Sequence, residues 1–275
     1  MIELLKAFIF GVVEGITEWL PISSTGHMIL LNEFLKLEVS KEFYELFEVV
    51  VQLGAIMAVV ILFWKEIFPF YKARGKIRIS QNILSLWGKI LIACLPAAVI
   101  GLLFDDIIDK HLHTPTVVSL TLIIYGIIFI IIESKNIGTR STKELEDITY
   151  KQALGIGAFQ LLSLIPGTSR SGSTIIGGLL LGLERSVAAQ FTFFLAIPVM
   201  FGASLLKLAK YILKIGLTFT GLEIGILLVT SVVSFLVSLF VIKFLLSYIR
   251  KHDFKIFGWY RIILGITVLL YFWLF

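Results

Sequence analysis

The sequence predicts an all-α polytopic membrane protein, with six transmembrane helices plus two re-entrant helical hairpins in an inverted-topology repeat. Three observations carry this. The 275 residues are 58% hydrophobic and 16% charged, with a mean hydropathy of +0.97, too apolar for a soluble chain of that length. Six runs have about the 20 apolar residues that cross a bilayer as a helix. Two further segments are apolar at both ends and polar in the middle, and they align with each other at a fixed offset.

In chain order, residues 4–31 form the first polar-centred segment. Glu14 and Glu18 interrupt it, so no cleavable leader is expected. Spans follow at 47–64, 86–104 and 116–132, then a charged loop at 134–151. Residues 152–183 form the second polar-centred segment, followed by spans at 187–206, 222–244 and 256–273. The runs are continuously apolar rather than alternating, which argues against a barrel; spanning helices satisfy their own backbones. Neither polar-centred segment suits a span, and a hairpin that dips in and returns explains both, since irregular backbone at membrane depth is tolerated where protein buries it.

Shifting the chain by 146 positions sets Gly11 on Gly157, Glu14 on Gln160, Thr17 on Ser163, Ser23 on Ser169, Thr25 on Ser171 and Gly26 on Gly172. One membrane domain, 1–275, is therefore expected to consist of repeat halves at about 1–133 and 152–275. Each half has one hairpin and three spans, and an odd number of spans inverts the second copy. Basic residues gather in the loops 65–81, 134–151 and 250–255, including Arg74 and Arg140, which places those loops in the cytoplasm. The other side holds Lys36, Lys41, Lys110 and the 207–214 lysines with Asp105, Asp106 and Asp109. The net charge of +5 reads as orientation rather than nucleic-acid binding. The single cysteine, Cys94, forms no disulfide within one chain and reads as a small buried hydrophobe.

Glu14 and Glu18, four apart, share a helix face, and a charge facing hydrocarbon costs at least ~2.5 kcal/mol. Two readings stand: a pair that holds a divalent cation or shares acid–base work, or charged rim residues or structural partners of Arg170 or Arg185. Pro21 then ends a helix, and Ser23, Ser24 and Thr25 are placed to cap the next one. His27 lies about one turn after Ser24, and a serine with imidazole in reach is an activated nucleophile. The stretch at 166–174 reads as an anion cradle of glycines, hydroxyls, a helix start and Arg170, or as half of an Arg170 salt bridge to Glu14 or Glu18. A phosphate loop of the Gly-Lys-Ser/Thr type is excluded, since the motif is absent and no sheet is expected. Glu184, Arg185 and Arg261 read as interfacial anchors, with Tyr260-Arg261 near lipid head groups. His111 and His113, beside Asp105, Asp106 and Asp109, read as a solvated turn before a metal site, and Asn32 and Gln52 as cavity-lining residues.

Together, Glu14-x-x-x-Glu18, Leu20-Pro21-Ile22-Ser23-Ser24-Thr25-Gly26-His27 and Pro166-Gly167-x-Ser169-Arg170-Ser171-x-x-Thr174 resemble the bacterial undecaprenyl-diphosphate phosphatase family, the integral-membrane, bacitracin-resistance type. The resemblance extends to Cys94-Leu95-Pro96 and Tyr260-Arg261. It implies release of inorganic phosphate from undecaprenyl diphosphate, which recycles the lipid carrier for peptidoglycan synthesis at the bacterial plasma membrane, with the site facing outward. It puts the functional positions on Glu14, Glu18, Ser24, His27, Ser169, Arg170 and Thr174.

On this reading Ser24 attacks, His27 or Glu18 takes its proton, Arg170 neutralises charge, and Ser23, Thr25, Ser169, Ser171 and Thr174 bind phosphate oxygens. Attack by His27 or by water stays open. A divalent cation, Mg2+ or Ca2+, is allowed for on Glu14 and Glu18. The expected partners are the polyprenyl diphosphate and membrane lipids, without nucleic acid; the oligomeric state, a homodimer included, stays open. The rival is a lipid-phosphate flippase or anion transporter of the same architecture.

Overall fold

A computed structural model describes residues 1–275 apart from Arg74, His113, 138–140 and Phe275; the side chains of residues 73, 105–107, 109 and 110 also lie outside the description. The readings on Arg74, Arg140 and His113, and on the side chains of Asp105, Asp106, Asp109 and Lys110, thus fall outside the described residues.

The chain is helical almost throughout. Helices α1 (Ile2–Thr17) and α2 (Ser24–Phe34) form a pair whose two ends meet: Lys6 Nζ donates to the Lys36 carbonyl at 2.6 Å, and the Glu38 N–H to Glu3 Oε2 at 3.0 Å. Next come α3 (Lys41–Val50) and α4 (Gln52–Leu62), the short α5 (Trp64–Ile67), α6 (Gln81–Leu112) and α7 (Pro115–Ser134). Helix α8 (Tyr150–Gln160), a 3-10 turn (Leu161–Leu164) and α9 (Arg170–Leu180) form the second pair. Its ends also meet, where Gln152 Nε2 donates to the Leu181 carbonyl at 3.0 Å. The chain closes with α10 (Arg185–Ile215), α11 (Gly221–Ile249) and α12 (Lys255–Leu274).

Six stretches are long and apolar enough to cross a membrane, at Lys41–Leu62, Gln81–Phe104, Pro115–Ser134, Arg185–Ile215, Gly221–Ile249 and Lys255–Leu274. Each contains or overlaps one expected span. The ends run further because polar caps set them: Ser40 caps α3, Thr114 with Pro115 starts α7, and Thr220 with Glu223 forms a capping box on α11. One expectation is corrected. The loop after α5 holds an antiparallel hairpin, β1 (Phe70–Ala73) with β2 (Lys76–Ile79), turning at Gly75 with φ 76°. Glycine reaches that conformation without strain.

Helices early and late in the chain interlock. Helix α1 packs on α11 and α8 on α6, while α7 lies along α12. Small residues allow these approaches, which in lipid replace hydrophobic driving force. A Cβ at Gly11 would sit 2.8 Å from the Thr230 carbonyl, and one at Gly126 would sit 2.6 Å from the Gly258 carbonyl. Buried aromatic residues fill the interior, with Trp19 edge-on to Phe193 and Phe10 to Phe47. The large exposed apolar side chains, such as Phe240, Leu228 and Ile263, lie on the spanning helices.

Candidate active site

The two helix pairs break in the same way. Pro21 and Pro166 stand in the breaks, and the second helix of each pair then starts at a serine with positive φ: Ser23 at 72° and Ser169 at 74°. Such a conformation costs a non-glycine residue about 1–3 kcal/mol. Each serine offsets part of it by capping, accepting from the Gly26 N–H at 3.3 Å and the Gly172 N–H at 3.0 Å. The residue after each strained serine is the first of its helix, Ser24 in α2 and Arg170 in α9.

One carboxylate joins these two residues. Ser24 donates its hydroxyl to Glu18 Oε2 at 2.7 Å, and Glu18 Oε1 accepts from Arg170 Nη2 at 2.9 Å. Arg170 Nη1 donates to the Thr192 carbonyl at 2.8 Å, and its guanidinium lies 5.8 Å from the centroid of the Trp19 ring. Its Nε is buried without a hydrogen-bond partner, which leaves a charged donor unsatisfied beside the Ser24 relay. The predicted ion pair between Arg170 and Glu18 is therefore present, and it includes the serine.

Other hydroxyls of the second segment hold backbone. Ser171 Oγ donates to the Glu18 and Leu20 carbonyls at 3.2 and 3.3 Å, tying α9 to the first break. Thr174 Oγ1 donates to the Arg170 carbonyl at 2.9 Å and accepts from Thr192 Oγ1 at 2.9 Å. Ser169 Oγ lies 3.1 Å from Ser171 Oγ.

The expected pairing of Ser24 with His27 is replaced by another arrangement. His27 Nδ1 lies 2.7 Å from the Ser23 carbonyl, which can only accept, so Nδ1 carries the proton. Nε2 then accepts from the Tyr260 hydroxyl at 2.6 Å, with the two rings stacked. The reason is the strained turn. It directs Ser24 back to Glu18 and leaves His27 to hold the Ser23 carbonyl on the side facing α12.

A cavity of about 660 Å³ opens beside Ser24 and Thr25, lined also by Glu14, Asn32, Tyr44, Glu48 and Gln52. Asn32 and Gln52 line it as expected; Tyr44 and Glu48 carry no local motif that marks them. Glu14 is buried with Oε1 unpartnered, whereas both oxygens of Glu18 are engaged. Glu14 thus keeps one oxygen open toward a cation, and each Glu18 oxygen, although hydrogen-bonded, retains a second lone pair. Among the described residues no three His, Cys, Asp or Glu side chains form a metal-binding group.

One anchor gains a partner and another is reassigned. Arg185 bonds Glu133 through both Nε and Nη2, at 2.9 and 2.6 Å. Arg261 is fully buried rather than interfacial, and donates to carbonyls of both breaks: Pro21 at 3.1 Å, Gly167 at 2.9 Å and Thr168 at 2.9 Å. Neither was legible locally, since the partners lie dozens to hundreds of positions away.

Comparison with known proteins adds a family. The profile described as "Bacitracin resistance protein BacA" matches residues 7–267. A relative named undecaprenyl-diphosphatase from Enterococcus faecalis is 59% identical over 98% of this chain and 97% of its own. Another of that name, from Desulfitobacterium hafniense, is 59% identical over 99% and 97%. A third, from Acetivibrio thermocellus, is 56% identical over 99% and 98%.

Proposed function

The chain belongs to the bacitracin resistance protein BacA family, and from that membership we propose that it is a membrane phosphatase that hydrolyses undecaprenyl diphosphate to undecaprenyl phosphate and inorganic phosphate. This returns the lipid carrier to peptidoglycan synthesis and confers bacitracin resistance. The observation that carries the chemistry is the chain of bonds from Ser24 through Glu18 to Arg170.

The diphosphate enters the cavity beside Ser24 while the polyprenyl tail stays among the helices. Arg170, with its free Nε, and the free N–H groups at the starts of α2 and α9 neutralise the terminal phosphoryl oxygens. Glu18 takes the Ser24 proton as Ser24 Oγ bonds to the terminal phosphorus and the bridging P–O bond breaks. Undecaprenyl phosphate leaves. Glu18 gives the Ser24 proton to the departing undecaprenyl phosphate and, as a carboxylate again, deprotonates a water that bonds to the phosphorus as the Ser24 O–P bond breaks. Glu18 then returns that proton to Ser24 Oγ, leaving inorganic phosphate and free Ser24. Ser23, Thr25, Ser169, Ser171 and Thr174 shape the two turns, Thr25 and Ser171 present backbone N–H groups in the first turns of α2 and α9, and His27 holds the Ser23 carbonyl. A divalent cation on Glu14 would supply Lewis-acid neutralisation of the diphosphate oxygens.

The architecture behind this site is a re-entrant pair in each of two inverted halves, about 1–133 and 152–275, joined by the cytoplasmic loop 134–151. The meeting ends of each pair, the equivalent strained serines and the reciprocal packing of α1 on α11 and α8 on α6 support it. The cavity opens to the outer face of the bacterial plasma membrane, the side away from the basic loops.

Purified protein in detergent, given undecaprenyl diphosphate, releases inorganic phosphate. No release, with lipid movement across liposomes by the same preparation, would establish the flippase instead.

A further inference from the structure

Arg261 of α12 lies outside every motif assigned to the reaction, yet it is 0% exposed and touches both broken segments. Nη1 donates to the Pro21 carbonyl of the first break; Nη2 donates to the Gly167 and Thr168 carbonyls of the second. Nε points to the Leu122 carbonyl of α7 at 3.5 Å, and the guanidinium lies 5.6 Å from the centroid of the Tyr125 ring. Among the described residues no carboxylate pairs with it. A buried charge without a counter-ion is expensive, and a single tie between helices needs none. The planar fork of five donors fits the task of fixing several carbonyls at set angles.

The carbonyls it binds frame the reacting groups. Pro21 lies three residues before Ser24, and Gly167 and Thr168 lie just before Ser169 and Arg170. We propose that Arg261 is a positioning residue for phosphoryl transfer, clamping the two breaks so that Ser24 and Glu18 meet the phosphorus in register with Arg170. The proposal rests on the phosphatase reading. A misplacement of about 1 Å at reacting atoms costs about 100-fold in rate, so the clamp acts on kcat and leaves lipid binding to other surfaces. Lysine keeps the charge but offers one point where arginine offers a fork; charge alone therefore does not replace it.

The test measures kcat and KM for phosphate release from undecaprenyl diphosphate, with thermal unfolding in detergent, for wild type, Arg261→Lys and Arg261→Gln. Folded Arg261→Lys is expected to lose about 100-fold in kcat with KM within about threefold. Arg261→Lys with kcat within threefold of wild type overturns the proposal, as does a loss in KM alone. Should neither Arg261 variant fold, Gly172→Ala decides. Its methyl would meet Arg261 Nη1 and Ser169 Cβ at 3.2 Å and Ser169 Oγ at 3.3 Å on a helix that alanine favours; folded Gly172→Ala is expected to lose at least tenfold in kcat, and wild-type kcat there overturns the clamp. Inactive wild type fails the phosphatase reading itself, whereas active wild type with equally active variants fails only the clamp.

Discussion

At the scale of single residues the chemistry depends on how Glu18 is shared. Its two oxygens hold Ser24 and Arg170 at once, and in the proposed mechanism this is how it orients the nucleophile and takes its proton. Ser24→Ala removes the attacking atom, and Glu18→Gln keeps the shape while removing the base. Each is expected to lower kcat by at least ~10³ with KM little changed, as read by phosphate release. Arg170→Lys keeps a charge without the fork and is expected to lose about 10²-fold. A Glu18→Gln enzyme within tenfold of wild type would move the base elsewhere, with His27 the first alternative. The sequence exposed every one of these residues, because ionisable groups inside apolar segments stand out against their surroundings. It did not expose who bonds whom. Ser24 and His27 are neighbours in sequence, while the partner of Arg170 lies 152 positions away and Tyr260 lies 233 positions from His27. Local spacing favoured the near pair, and the positive φ at Ser23 overruled it.

At the scale of elements, the helices hold together by close backbone approach. Gly11 and Gly15 of α1 face the Thr230 and Ser234 carbonyls of α11, each position 2.8 Å from an added Cβ. Thr230 and Ser238 then donate to the Ala7 and Gly15 carbonyls at 3.0 and 3.3 Å. Because this seam supports the helix that carries Glu14 and leads into Glu18, Gly15→Val is expected to cost about 1–3 kcal/mol by overpacking. A lower unfolding midpoint in detergent checks it; an unchanged midpoint means that the seam is looser than drawn. The six spanning elements were legible because a long apolar run states its own length and type. The hairpin at Phe70–Ala73 and Lys76–Ile79 was not, since eight charged or mixed residues carry too little pattern to separate strand from loop. The full burial of Arg261 was likewise invisible, because a lone arginine near a helix end reads the same whether it meets lipid head groups or the carbonyls of distant turns.

At the scale of the whole molecule, the offset of 146 takes on a chemical meaning. It superposes Ser23 on Ser169, both strained and both capping, and therefore Ser24 on Arg170. In the proposed mechanism, equivalent positions of the two broken helix pairs carry the nucleophile in one and the anion-binding cation in the other. The orientation of the halves makes a further prediction. In a Cys94→Ala background, a cysteine at Lys214, which pairs with Glu42, is labelled on intact cells by a membrane-impermeant maleimide, while one at Lys251 is labelled only after permeabilisation. The opposite pattern would turn the protein over and place the cavity in the cytoplasm.

The most direct test of the mechanism is to trap the enzyme in mid-reaction. Wild type mixed with undecaprenyl diphosphate carrying a labelled terminal phosphate, quenched within one turnover in neutral denaturant and mapped by mass spectrometry, should carry the label on Ser24. Label on His27, or full turnover with no labelled protein at any quench time, would contradict attack by Ser24.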